Sequence, residues 1–518
     1  MWLFIIRSLL FRATLVVQYL RRYLVVFCCF ALSVSGLSIS AFAATQVPVS
    51  AKDPGITVTT SSPEARALFA AGLARCQTLH LREGFQLWRK AAQADPDFAL
   101  VHILLSNFSP DPAERVAERD KALASRSHAS AEEQLVIDWL SNSSQGRFVP
   151  AIQAMNTVLE ENKNHKMLVW LAGMWLDEQH QWTRAAQMYE QALKLDPTFG
   201  DAWNSLAYCY ARSGDFDKAS AAMQRYMQLL PDQANPHDTY GEILLLAGKF
   251  DEAMEQYRTA LKLDPGFVES ERGIADTFAV MGEESRARQE YADAIAKVND
   301  KVEALRWSLL AAITYVRESD FTGADKAFQN VAKQAHQNGL GNVEAEAYRD
   351  MALYQRQSAA AKTALNQADA ALHHQHQTPQ SLSDQELASI MRTRVERALR
   401  DGDLKLAVNS LKPLEALSSG TIDGSIHLYY ESAAGALALA QKNYPAAISH
   451  LSDNDADPLS LLHLMEAYRQ SGRSAEAQSV ATRLAALNLP TIDQAVIVLE
   501  FRKAQLAAPK SSINIGNR

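Results

Sequence analysis

The sequence predicts an all-α fold, a solenoid of stacked antiparallel helix pairs, on three observations. Pro197, Pro231 and Pro265 stand 34 residues apart, each closing an apolar phrase (LKLDP, MQLLP, LKLDP). Small and large residues recur between them in one register. The composition is 47% hydrophobic, and no alternating β-branched runs stand out.

From Lys166 to Asn299 a small residue recurs at Gly173, Ala207, Gly241 and Ala275, with a large one three positions later at Leu176, Tyr210, Leu244 and Phe278. A second small residue stands at Ala185, Ala219, Ala253 and Ala287, followed by Tyr189, Met223, Tyr257 and Tyr291. A third small position holds Ala192, Ala260 and Ala294, but Tyr226 in the second unit. Small residues let antiparallel helices cross closely while large ones fill the holes beside them. Proline ends the second helix because it lacks an N–H and restricts the residue before it. The phrases SGDFD, AGKFD and MGEES read as turns, with Gly214, Gly248 and Gly282 in the left-handed position that glycine occupies cheaply. This register resembles the tetratricopeptide repeat, whose period is about 34 residues. The resemblance is specific over 166–299, good over 64–97 and looser elsewhere, and it implies a right-handed superhelix of helix pairs.

Taken in order, residues 1–43 read as a signal peptide. Tyr23 to Ala43 is apolar, follows Arg21 and Arg22, and ends in Ala41-Phe42-Ala43, which places cleavage before Ala44. The apolar stretch upstream of it leaves an uncleaved membrane anchor as the alternative. Cleavage removes four arginines and no acid, so the net charge of −8 becomes more negative by four. That balance argues against nucleic acid, and against an anionic membrane surface, as the partner. Cys76 and Cys209 remain, without metal or redox spacing, and read as small buried fillers. Residues 44–62 read as a flexible lead-in, and 63–163 as N-terminal helical repeats whose first helix opens at Ser62-Pro63-Glu64. Residues 164–300 form the core array, and 301–490 are degenerate repeats with pairs expected at 302–335, 342–377, 384–417, 425–453 and 458–489. A capping helix at 491–507 and a loose tail complete the chain, since a solenoid needs its exposed end closed.

Catalytic grammar is missing: there is no GxxxxGKS or GxxxxGKT, no GxGxxG after a strand, no HExxH, and no GxSxG outside the leader. The expectation is a non-enzyme with no cofactor. His373, His374 and His376 form the one cluster that suggests a transition metal. Adjacent helical residues point to different sides, and histidine at a helix C-terminus is favoured by the dipole, so the cluster reads as a solvated helix end and no metal site is expected.

In the family that the register resembles, the first helix of each pair lines a concave groove. Carried onto this chain, the groove positions include Trp170, Met174 and Asp177 in the first unit and Asn204, Tyr208 and Arg212 in the second. Asp238 and Glu242 follow in the third, and Arg272 and Asp276 in the fourth. Some members hold a C-terminal carboxylate with a Lys-Asn-Asn-Lys-Arg set. Here Trp170 and Met174 replace the first Lys and Asn, and Asp238 and Glu242 add negative charge, so a basic or neutral extended peptide is the expected ligand. The leading expectation is an exported bacterial scaffold or adaptor, periplasmic or secreted, that binds a protein or peptide. TSSPEARALFAAGLA followed by AAQADPDFALVH is similar to the openings of repeat arrays on bacterial signalling kinases and cyclases, which implies a regulatory or sensor module as the alternative. An enzyme or glycan-assembly component with an unrecognised site is the third reading.

Overall fold

A computed structural model describes residues 58–77, 80–298, 300–373, 378–452 and 457–507. The signal peptide with its cleavage site, most of the lead-in, His374, His376 and the tail from 508 lie outside the described residues. Among the described residues there are twenty-five α-helices and no strand, and no helix is long and apolar enough to cross a membrane. The all-α solenoid of stacked pairs is the observed architecture.

The N-terminal pairs are α1 (Pro63–Gln77) with α2 (Leu81–Ala94), α3 (Ala99–Phe108) with α4 (Pro112–Ser125), and α5 (Ala131–Ser144) with α6 (Phe148–Glu161). The Ser62 hydroxyl caps α1 by accepting from the Ala65 N–H at 3.1 Å. The core pairs are α7 (Lys166–Glu178) with α8 (Trp182–Leu195), α9 (Gly200–Arg212) with α10 (Phe216–Leu229), α11 (Ala234–Leu246) with α12 (Phe250–Leu263), and α13 (Val268–Met281) with α14 (Glu284–Lys297). First helices start at 166, 200, 234 and 268 and second helices at 182, 216, 250 and 284, so the 34-residue register is kept to the residue. Then come α15 (Lys301–Glu318) with α16 (Phe321–Gln337), α17 (Gly341–Tyr354) with α18 (Ser358–His373), α19 (Gln380–Arg400) with α20 (Leu404–Ser419), α21 (Gly424–Ala440) with α22 (Tyr444–Leu451), and α23 (Pro458–Gln470) with α24 (Ser474–Ala486). The period loosens here because helix length varies: α15 has 18 residues, α19 has 21 and α22 only 8. A five-residue π-helical turn, Gln494–Val498, runs into the last helix, α25 (Leu499–Ala507).

Close packing within pairs follows the small-large register. The fully buried Tyr257 ring lies between Gly241 of its own pair and Gly273 of the next, and Tyr189 covers Gly173. Tyr226, the exception in the third small position, is accommodated because the facing residue on the first helix is Gly200, and its hydroxyl accepts from the Asn235 carboxamide at 2.7 Å. The pair-joining turns place one residue per unit at positive φ, at 180, 214, 248 and 282. Three are the expected glycines; the first is His180, at φ 59°. Cys76 and Cys209 are free and buried.

Layering is visible in burial. Residue after residue of α7 is buried from Lys166 to Asp177, whereas α8 buries one stripe, Trp182, Ala185, Tyr189, Ala192 and Leu193. A helix buried all round has partners on every side. For α7 and its counterparts, one side is the outer layer of second helices, and the other is the chain's own return. The Ser381 hydroxyl donates to the Ser144 carbonyl across 237 residues, the Gly424 N–H to the Gln179 side chain across 245, and the Asn488 side chain to the Leu246 carbonyl across 242. These near-constant offsets equal about seven units of 34 residues. The superhelix completes a turn in that distance and its later pairs rest on the pair-joining turns of its earlier ones.

The glycine–tyrosine contacts give the first prediction. A Cβ on Gly241 would sit 2.7 Å from the Tyr257 ring, which has no room to move. On an exposed helix Gly→Ala stabilises, but Gly241→Ala should destabilise by about 1–3 kcal/mol. Urea denaturation checks the sign.

Candidate functional site

All ten groove residues named from the sequence lie on first helices: three on α7, three on α9, two on α11 and two on α13. Apart from half-buried Asn204 and Arg212 they are buried, and the Arg212 side chain is itself only 4% exposed. Trp170 packs edge-on against Phe199 at 5.8 Å and its indole N–H donates to Ser205 at 3.0 Å; Met174 is buried beside it on α7. These two belong to the interior between neighbouring pairs.

The polar members link into a chain that crosses four first helices. Arg212 pairs with Asp177 on α7 and lies over the Tyr208 ring at 5.6 Å. The Tyr208 hydroxyl donates to Glu242 at 2.5 Å, and the other oxygen of Glu242 accepts from Arg272 at 2.6 Å. Arg272 also pairs with Asp276, which accepts from the Tyr291 hydroxyl. Asp238 accepts from Ser270 at 2.7 Å. Arg212 and Arg272 therefore neutralise most of the acids, and the charge basis for preferring a basic peptide disappears. Burial, and then the charge of Glu242, push the Asp238 carboxyl above its ordinary range; burial also raises Glu242, against the pull of Arg272. Unused capacity remains on α9: the Asn204 carboxamide oxygen and two guanidinium nitrogens of Arg212, Nε and Nη2, are buried without a hydrogen-bond partner among the described residues.

Sequence reasoning missed the continuation of this wall. Arg317 on α15 pairs with Glu284 at 3.3 Å, Arg349 on α17 with Asp350 at 2.8 Å and Glu386 at 2.7 Å, and Arg392 on α19 with Asp457 at 3.1 Å. Every one of these arginines is nearly inaccessible. The available signal was an arginine among the small residues of a first helix. The segment that faces them was read as an end cap. It does pack on the last pair, through Val498 and Phe501, but upstream it enters the concave side: Leu489 packs on Trp182, Tyr208 and Leu246, and Gln494 accepts from Arg317. Among the described residues no group of His, Cys, Asp and Glu is arranged to hold a metal ion, and the described histidine of the predicted cluster, His373, has Nδ1 2.7 Å from the Asp369 carbonyl at the end of α18.

A further buried acid on a first helix makes stability sensitive to pH. Asp201 on α9 is held up to about 8, because burial disfavours its carboxylate more than Lys166 favours it. The unfolded carboxyl titrates near 4. Between about pH 4 and about pH 8 the folded chain holds a proton that the unfolded chain has released, so this contribution is complete at low pH and is lost as pH rises. Asp201→Asn should remove up to about 1.4 kcal/mol per pH unit of slope from the urea stability measured between about pH 5 and about pH 7. An unchanged slope refutes the assignment.

Tetratricopeptide-repeat profiles match residues 178–242 and 234–267. The general transcriptional corepressor trfA of Dictyostelium discoideum is 26% identical over 160 residues, which is 30% of this chain and 9% of that protein. The Hsp70-Hsp90 organizing protein 1 of Glycine max is 25% identical over 153 residues, 24% of this chain and 27% of that protein. The chain thus spans a small part of these relatives' length. Among solved structures, the Cut9-Hcn1 hetero-tetramer of the APC/C aligns over 83% of this chain and 78% of its own, at 15% identity and TM-score 0.41. A tetratricopeptide repeat protein from Parabacteroides merdae aligns over 54% and 97%, at 12% identity and TM-score 0.35. Residues 178–267 are tetratricopeptide repeats, and the chain around them is an α-solenoid built on the same helix-pair plan.

Proposed function

We propose that this chain is a non-catalytic scaffold of the bacterial cell envelope that holds a protein partner through the concave side of its core repeats. The observation that carries the reading is α9: Asn204 and Arg212 keep hydrogen-bonding groups that have no partner among the described residues, beside the Tyr208 ring, on which Leu489 packs. Unsatisfied polar groups next to an aromatic surface suit a peptide backbone, which brings carbonyls and N–H groups in equal number.

The structure decides how to test it. Removing Arg212 leaves Asp177 buried and alone, which costs about 3–5 kcal/mol and confounds binding with folding. Asn204 has no such partner on its carboxamide oxygen. Asn204→Ala should leave the melting temperature near wild type while weakening the partner captured on the tagged chain by about tenfold, for a lost binding contribution of about 1.4 kcal/mol. An unchanged partner yield moves the site off α9. The envelope location is checked separately: the mature chain should begin at Ala44, and an intact Met1 would make it membrane-anchored instead.

A further inference from the structure

Under the groove reading above, the chain itself shows what the groove accepts. Residues 488–495 (NLPTIDQA) are buried without a break, although α24 has already ended at Ala486. Pro490 keeps Asn488 and Leu489 out of a helix, since it supplies no N–H and biases the residue before it toward extended backbone. The extended portion presents its side chains to the first helices. Leu489 enters an apolar site made by Trp182, Tyr208 and Leu246. The Asn488 carboxamide donates to the Leu246 carbonyl at 3.3 Å, where α11 ends, and lies so close to Gly248 that a Cβ there would be 3.0 Å from it. Ile492 and Ala495 join the second apolar core, and the Gln494 carboxamide oxygen accepts from Arg317.

We infer that residues 488–495 are a resident ligand of the concave side, and that the external partner is a protein segment of the same pattern. That pattern is a carboxamide, a leucine and a proline in extended form, with a second carboxamide six residues after the first.

Two features distinguish a resident ligand from a fixed part of the core. The residues that hold the segment have other partners when it leaves. Arg317 keeps Glu284 at 3.3 Å, Tyr208 keeps Glu242 at 2.5 Å, and Arg392, which lies 3.8 Å from Asp493, keeps Asp457 at 3.1 Å. Departure therefore strands no buried charge, unlike removal of Arg212 or Arg272. The segment is also irregular. Arg502 donates to the Asn488 side chain at 3.0 Å and Arg317 to Gln494, but the segment's exit is wound into a π-turn, a conformation that helices adopt rarely and often at functional sites. A tethered ligand acts at an effective concentration on the order of millimolar, so exchange selects partners that match it well.

The test uses the full chain and a labelled synthetic peptide of residues 486–496. In Leu489→Asp the segment loses its apolar anchor, and the peptide should bind this variant about tenfold more tightly than it binds wild type, because the competing tether is gone. A peptide with the same leucine replaced by aspartate should not bind. A folded variant that takes up neither peptide overturns the proposal. If Leu489→Asp does not fold, native-state hydrogen exchange of the wild-type chain decides: amides of 488–495 should exchange on the order of a hundredfold faster than those of α11. Exchange of both only by global unfolding makes the segment a permanent part of the fold. A partner lost on Asn204→Ala from a chain whose segment never opens leaves the scaffold reading standing and this inference refuted.

Discussion

The distance between helices within a pair controls everything else in this molecule. It is set where a glycine or alanine on one helix receives a large ring from the other, as Gly173 receives Tyr189 and as Gly241 and Gly273 enclose Tyr257. Ridges meet grooves at one spacing and crossing angle, and the same small rotation recurs from pair to pair. Repetition of that rotation brings the chain around after about seven units. One more methyl group in each pair would change the rotation, and the later pairs would no longer land on the turns at Ser144, Gln179 and Leu246.

Closure transforms the electrostatics of the concave side. In an open solenoid, arginines and carboxylates on the first helices face water and interact weakly. Here they are enclosed, and each of these arginines depends on a carboxylate partner, on its own helix or a neighbouring one. Arg272 between Glu242 and Asp276, and Arg212 against Asp177, show the solution, as do Arg349 and Arg392 further along. Where pairing is incomplete the carboxyl stays protonated, which is the state burial imposes on Asp201.

The repeat was legible in the sequence because its signals are local. Pro197, Pro231 and Pro265 fix the register, and Gly214, Gly248 and Gly282 fix the turns. The helix pairs after Asn299 were legible as pairs but not as a period, since helices from 8 to 21 residues long break the spacing without breaking the packing. The inward-facing side chains were legible too, being a matter of helical phase. Their burial was not. It arises from contacts 177 to 245 residues apart, such as Arg317 with Gln494 and Gln179 with Gly424, and no window of sequence contains both members. Leu489 illustrates the limit: within its own neighbourhood it reads as the last residue of the pair 458–489, and only the curvature of the whole array brings it to Trp182 and Tyr208.

The seven-unit offset also changes the dimensionality of the fold. A linear repeat array is a one-dimensional chain in which each unit touches only its neighbours, so that units melt independently from the ends and a shortened array keeps its remaining units. Hydrogen bonds from Ser144 to Ser381, from Gln179 to Gly424 and from Leu246 to Asn488 add a second set of neighbours one superhelical turn away. The array gains a second dimension where these bonds run, and the units that make them are held both along the chain and across the seam. Unfolding of such a lattice has a perimeter rather than an end, and an early unit cannot loosen without exposing a late one. Position along the sequence therefore loses its usual meaning: His180, at positive φ in an early turn, is bound 3.0 Å from Ser425, and the pairs on the two sides of the seam share their stability.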